Sequence, residues 1–382
     1  MEAYITDIAC FLPNNPVDNE QIEELLGMVG HLPSRTRKII LRNNGIKERY
    51  YAIDPKTGQP THSNAQLTAE AIKRLQPNPD FHIKDIEVLC CGTSAPDQLM
   101  PSHASMVHGE LANGPMEVAS TAGICLAGTS ALKYVATAVA AKTALNGVAT
   151  GSENASSFFR PGIFAPSGAE KADELAKSPQ LGFEADFLRW MLSDGAGACF
   201  IEQQKSPDRL SLRIDWIESA SHAHRLEPCM YAGAIKQADG TLRGWRDFSS
   251  LPEAVDAGAL PVKQDVKLLN DEIIPVIIHS TLPPLVNKYG LKTSEINWFL
   301  PHYSSEYFRN KVYEGLQEID FEIEQNRWFT NLASKGNTGS ASIYIIMEEL
   351  FHSGKLKRGD TLLCMIPESG RFACGYMHLT AV

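Results

Sequence analysis

The stretch that most constrains this chain runs from Glu117 through Gly123 and Cys125 to Thr143. It reads as a short apolar strand, a turn of small residues and a long Ala-rich helix that opens beside a cysteine. Gly123 permits a tight strand-to-helix turn, and Ala127, Gly128, Ser130 and Ala131 let the helix pack closely inside a core. Between 129 and 143 the only charges are Lys133 and Lys142, so the helix is expected to be buried. A thiol at a helix N-terminus faces unpaired backbone N–H groups and the positive end of the helix dipole. Both favour the thiolate, which makes Cys125 a candidate nucleophile. The local sequence suits a small buried hydrophobe equally well, the usual state of a free cysteine.

Length and charge narrow the class. A chain of 382 residues holds two core-sized units or one large two-lobed body. A formal charge of -10 argues against a nucleic-acid binder, whose footprint is usually basic. Eight scattered cysteines with no CxxC pair give neither a disulfide framework nor a structural zinc site, and they fit a reducing cytoplasm. The N-terminus enters a strand directly, and no uncharged run approaches membrane-spanning length, so a soluble cytoplasmic protein is expected. His222, His224 and Cys229 lack a well-spaced further ligand, and metal binding is not expected there.

Two stretches repeat one plan. Phe81 to Gly92 and Gly290 to His302 each end a helix, pass an acidic-Ile pair (Asp85-Ile86, Glu295-Ile296) and enter an apolar strand closed by a small polar turn. The glycine-bounded runs Gly195–Phe200 and Gly370–Gly375 echo one another as turns feeding strands. The chain therefore reads as two similar α/β halves, 1–205 and 206–382, each a sheet with helices on its faces. Between them, 159–181 reads as a loop excursion and Phe183 to Leu192 as a short helix. Asp271 to Tyr289 reads as a helix broken near Pro283-Pro284. Cys125 in the first half, and His302 and Asn337 in the second, fall at comparable strand-end or turn positions. Individually His302 suits a hydrogen-bonded strand-end histidine and Asn337 a turn or cap residue. Together they suit acyl transfer and condensation: a cysteine takes an acyl group from a thioester, and histidine and asparagine N–H groups hold a developing oxyanion or enolate. Backbone N–H groups near Cys125 and near Ser369 to Phe372 are candidates for a first oxyanion hole.

Five ordered motifs carry a family resemblance over nearly the whole chain. They are Asn44-Gly45-Ile46-Lys47-Glu48-Arg49; Gly92-Thr93-Ser94-Ala95-Pro96-Asp97 with Pro101; Ala122 to Gly128 around Cys125; Asp194-Gly195-Ala196-Gly197-Ala198; and Gly336-Asn337-Thr338-Gly339-Ser340-Ala341-Ser342. In these the sequence resembles the thiolase-like condensing enzymes, and among them the β-ketoacyl-acyl-carrier-protein synthase III group. The resemblance implies a five-layered αβαβα thiolase-like fold of two similar halves, a homodimer, and a Cys125-His302-Asn337 triad. It implies no permanently bound cofactor and no metal, but substrates carried as phosphopantetheine thioesters on acyl carrier protein or coenzyme A. Arg49, Arg309, Gly370 and Phe372 are the candidates for holding them, and Arg35, Arg37, Lys38 and Lys311 join Arg49 and Arg309 as candidates to meet an acidic carrier protein. The sequence departs from the family twice. His-Gln-Ala-Asn is here His302-Tyr303-Ser304-Ser305, and a glycine-rich turn is here Glu368-Ser369-Gly370-Arg371-Phe372. The branch it looks most like is that of the dialkylcyclohexanedione synthases that feed dialkylresorcinols. An acyltransferase acting on an alcohol or amine, or a non-catalytic acyl-binding subunit, would share the fold.

Overall fold

Strands covered on both faces read as unbroken runs of apolar and small residues, and Val88–Thr93, buried throughout, is such a run. The structure is a computed structural model and describes residues 2–28, 33, 34, 36–160 and 187–382. Its main sheet has nine strands: β1 (Tyr4–Phe11), β2 (Val88–Thr93), β3 (Glu117–Ala122), β4 (Asn146–Glu153), β5 (Gly195–Glu202), β6 (Leu212–Ser221), β7 (Trp298–Pro301), β8 (Thr361–Glu368) and β9 (Ala373–Ala381). Across the sheet the order is β7-β8-β9-β6-β1-β5-β4-β2-β3. Read outward from the centre, the first half runs first, fifth, fourth, second and third strand. The second half runs in the same sequence, its third strand reduced to one parallel bridge between Phe299 and Trp328. The halves join where β1 meets β6 antiparallel through Tyr4–Arg213 and Ile5–Leu212.

Period-two alternation sends successive side chains to different layers. Val88 and Cys90 face the central layer, whereas Leu89 and Cys91 face the outer one. The helices that fill these layers are α1 (Arg37–Asn44), α2 (Asn64–Ile72), α3 (His103–Leu111), α4 (Leu126–Ala140), α5 (Val266–Ile274), α6 (Leu282–Tyr289), α7 (Tyr307–Glu318) and α8 (Ser342–His352). Leu132 and Val135 of α4, with Ile343 and Met347 of α8, pack between the two sheet halves. Helices α2 and α3 cover the outside of the first half. Helices α5 and α7 cover the outside of the second, through Leu269, Ile273, Val312 and Leu316. The result is the thiolase-like αβαβα stack.

The small residues of the α4 sequence have the expected use. A Cβ on Gly128 would lie 2.4 Å from the Ser340 carbonyl oxygen, and one on Gly151 would lie 2.2 Å from it. The Tyr344 hydroxyl closes the same contact by donating to the Gly128 carbonyl at 2.8 Å.

The long helix of the second half changes its winding in the stretch that leads up to Pro283-Pro284. It begins at Val266, where Asp265 caps it by accepting from the Leu268 N–H, and changes to a π-helical stretch over Pro275–Thr281. α-Helical winding resumes at Leu282 as α6, whose first turn holds Pro283 and Pro284, residues with no N–H to give to the preceding turn. Of the expected loop at 159–181 and the helix at 183–192, residues 161–186 lie outside the described residues; residues 187–189 form a helical turn. All eight cysteines are free, and no helix among the described residues is long and apolar enough to cross a membrane.

Candidate active site

Parallel strands end on one edge of a sheet, and here that edge collects the polar groups. Strand β2 leads to Ser94, β3 to Cys125, β4 ends on Glu153, β7 leads to His302 and β8 ends on Glu368. In register, Thr93 lies beside Ala122 and Ser152, and Pro301 beside Met365. Cys125, His302 and Asn337 all line one cavity of about 400 Å³, with Glu153 and Glu368. The remaining wall is largely apolar, including Phe158, Leu188, Met191, Ile273, Phe308 and Val312.

Each member of the trio is fixed by its local backbone. Cys125 immediately precedes α4, and Thr121 Oγ1 donates to the Ala127 carbonyl at 2.7 Å to set the turn. His302 follows β7, its N–H bonded to the Met365 carbonyl at 2.9 Å. Asn337 is tied to the end of the first half: its N–H donates to the Met191 carbonyl at 3.1 Å, and its carbonyl accepts from Ser193 at 2.8 Å. Its Oδ1 accepts from the Gly339 N–H at 2.9 Å, which leaves its amide N–H groups as donors toward the cavity. Next to Ser193, Asp194 accepts from the N–H groups of Ala52 (2.7 Å) and Ser156 (2.8 Å), locking that junction. Burial takes the His302 imidazole down to about 4, so it is neutral near pH 7.

The thiol is not in the state expected of a helix N-terminus. Burial, then the negative charges of Glu368 and Glu153, raise the Cys125 thiol well above its ordinary value. The donors expected to favour a thiolate are partly taken: Glu368 Oε2 accepts from the Ile124 N–H at 2.9 Å and the Leu126 N–H at 3.0 Å, on either side of Cys125. Before substrate binds, Cys125 is a protonated, uncharged thiol.

Two carboxylates were thus absent from the sequence-derived trio. Glu153 Oε1 accepts from the N–H groups of Ser94 (3.1 Å) and Ser340 (3.2 Å), and Oε2 from Ser94 Oγ at 2.5 Å. Burial raises Glu153 to about 7. The available signal was an acidic residue closing a strand otherwise made of small and apolar residues, which holds for both Glu153 and Glu368.

Comparison with known proteins covers both parts of the site. The family model described as 3-oxoacyl-[acyl-carrier-protein] synthase III C terminal matches residues 286–370, the segment holding His302, Asn337 and Glu368. A β-ketoacyl-[acyl-carrier-protein] synthase III of Campylobacter curvus is 24% identical over 369 residues, covering 95% of this chain and 92% of that protein. Along nearly its whole length the chain is thus similar to the β-ketoacyl-[acyl-carrier-protein] synthases III, and residues 286–370 match the C-terminal family model. Among solved structures, the tetronic acid condensing enzyme AbyA1 superposes with a TM-score of 0.74 at 17% identity, covering 99% of each chain. A cysteine-to-serine variant of Xanthomonas campestris OleA, with bound lauric acid and lauroyl-CoA, gives 0.72 at 19% identity, with 100% of this chain and 99% of that one covered.

Within this fold, the four candidates for thioester binding separate. Gly370 lines the cavity, and a Cβ there would lie 3.1 Å from the Ile124 side chain. Arg309 sits one step behind the wall, donating to the Tyr303 hydroxyl at 3.1 Å and to Gln325 Oε1 at 2.8 Å. The other two point elsewhere. Arg49 is completely buried, donating to Asn19 Oδ1 at 2.7 Å and to the Trp190 carbonyl at 2.5 Å, so it is an internal tie and reaches no carrier protein. Phe372 is also fully buried, with φ of 55°, and packs in the second-half core behind the turn. Of the basic residues expected to form a docking face, Arg37 pairs with Glu20 and Glu23, Lys38 is exposed, Lys311 lies over the Tyr307 ring, and Arg35 lies outside the described residues.

Proposed function

We propose that this protein loads an acyl or enoyl group from a phosphopantetheine thioester onto Cys125. It then joins that group by a carbon–carbon bond to a second thioester. The observation that carries this reading is the meeting of Cys125, His302 and Asn337, from both halves of the chain, on one largely apolar cavity. Attack by sulfur on the thioester carbonyl gives an acyl-enzyme and releases the carrier thiol. The neutral His302 imidazole and the Asn337 amide then donate to the enolate oxygen of the second thioester, and its C2 attacks the acyl carbon or adds across an enoyl double bond. The apolar wall accommodates the acyl chain, as the lauroyl ligand of the OleA structure suggests.

In its finer form, the reading makes the second substrate a 3-oxoacyl thioester and the product a dialkylcyclohexanedione precursor of a dialkylresorcinol. A 3-oxoacyl C2 is acidic enough to react without decarboxylation. Among the described residues, none lining the cavity is Lys or Arg, the groups that would favour the free carboxylate of a malonyl unit. An acidic acyl carrier protein would dock on the exposed Lys38, Arg42 and Lys47. These lie on and just beyond α1, whose end is bonded to the segment after His302 by the Glu306 N–H and the Asn44 carbonyl at 3.0 Å. The working enzyme would be a homodimer.

Intact-protein mass spectrometry after incubation with acyl, enoyl and 3-oxoacyl carrier-protein thioesters, followed by product analysis once a second thioester is added, tests this directly. An acyl-sized gain mapped to Cys125 and released as a condensation product is expected. Release onto an alcohol or amine would make it an acyltransferase. No loading from any donor would leave an acyl-binding subunit.

A further inference from the structure

The cavity holds two carboxylates, and they are held differently. Both oxygens of Glu153 are occupied by Ser94 and Ser340, so this residue braces two loops. Glu368 is held through Oε2 alone, by the N–H groups on either side of Cys125. Its Oε1 has no hydrogen-bond partner among the described residues, and no Lys, Arg or His among them pairs with it. An anion fixed this way beside a thiol disfavours the resting thiolate, so the thiol needs an acceptor for its proton at the moment of attack. Among the described residues, the other titratable side chains sharing the cavity are Cys125 itself, Glu153, His302, Tyr231 and Tyr303. His302 is too weak a base, since burial lowers it to about 4.

We propose that Glu368 Oε1 accepts the Cys125 thiol proton during acyl loading and returns it to the departing carrier thiol. The proposal rests on the reading that Cys125 is the acylated residue. As sulfur attacks the thioester carbonyl, the S–H bond breaks, the proton passes to Glu368 and the new S–C bond forms. Collapse of the tetrahedral intermediate breaks the old C–S bond, and the leaving thiolate takes the proton back from the Glu368 carboxylic acid. The carboxylate is regenerated and no further reactant is consumed. Oε2 meanwhile stays on the Ile124 and Leu126 N–H groups, which holds the carboxylate beside Cys125 throughout.

The test separates this role from simple capping. In Glu368→Gln the amide oxygen still accepts from both N–H groups, but the side chain no longer accepts a proton. Single-turnover loading of Cys125, followed by intact mass, is expected to slow by roughly 10²- to 10⁴-fold, the usual span for a lost general base. Glu368→Ala should be similarly slow and be accelerated by added formate. Loading by Glu368→Gln within about twofold of the native rate, or a slow Glu368→Ala that ignores formate, would overturn the proposal. If Glu368→Gln does not fold, the formate response of Glu368→Ala decides. Iodoacetamide alkylation of Cys125 adds a readout that needs no thioester. If the native enzyme loads no thioester at all, the acylation reading fails on its own account, and slower alkylation in Glu368→Gln still reports proton acceptance by Glu368.

Discussion

Glu153 has a consequence for stability that can be measured apart from catalysis. Its carboxyl titrates at about 7 in the folded chain, raised from 4.5 by burial. Between those values the native state binds more protons than the unfolded one, so this group's contribution is present below about pH 4.5 and is lost as pH rises through 7. The window is worth on the order of 3 kcal/mol. Glu153→Gln should therefore gain on the native protein as pH rises from 5 to 8, read as a growing Tm difference in its favour; a difference independent of pH would mean the group is already ionised throughout. The trio divides the reaction in a second way. Cys125→Ala should lose loading altogether while keeping its Tm. His302→Ala and Asn337→Ala should load Cys125 normally yet lose condensation by roughly 10²- to 10³-fold, the cost typical of one missing oxyanion donor. Intact mass and product yield on the same sample distinguish the steps, and loss of loading in His302→Ala would move that residue to the first step.

At the scale of elements, the strands and the central helix were readable because their patterns are local. The near absence of charge around α4 announced its burial, and the shared plan of 81–92 and 290–302 announced two equivalent strands. Both of those strands do follow a 3₁₀ turn, at Ile83–Asp85 and Thr293–Glu295. The unreadable parts depend on distant partners. Nothing near Arg49 in sequence says that Trp190 will cover it, and nothing beside Glu368 says that its carboxylate will reach the N–H groups of Ile124 and Leu126, more than 240 residues away. The same long-range closeness makes the seam between α4, β4 and the 339–341 turn intolerant of volume. Gly151→Ala should force Ser340 away, since the added Cβ would sit 2.2 Å from its carbonyl oxygen. Overpacking of this kind costs about 1–3 kcal/mol. Because that turn follows Asn337 directly, condensation should suffer more than loading in any Gly151→Ala protein that folds, which the two mass-spectrometric readouts report separately.

Over the whole molecule, one edge of the nine-stranded sheet is left without a partner strand among the described residues. Strand β3 lies at the end of the sheet, paired on one side with β2, and Glu117, Ser120 and Ala122 are exposed. An unpaired edge of this length invites another strand, and natural proteins cover such edges. The surface beside it is apolar as well: Leu99 and Met100 are 70% and 78% exposed, just ahead of α3, which is bonded to β3 through the Ala104 N–H and Ser120 Oγ at 2.8 Å. A second copy pairing β3 with β3 would extend the sheet and bury this face on both protomers at once. The expected result is sedimentation at twice 41.9 kDa, with the amides of 117–122 protected from hydrogen exchange at micromolar concentration and losing that protection on dilution below the dissociation constant. A monomer whose β3 amides exchange rapidly at every concentration would show that this edge is capped by neither a partner strand nor the exposed pair at 99–100, and the dimer would have to be given up.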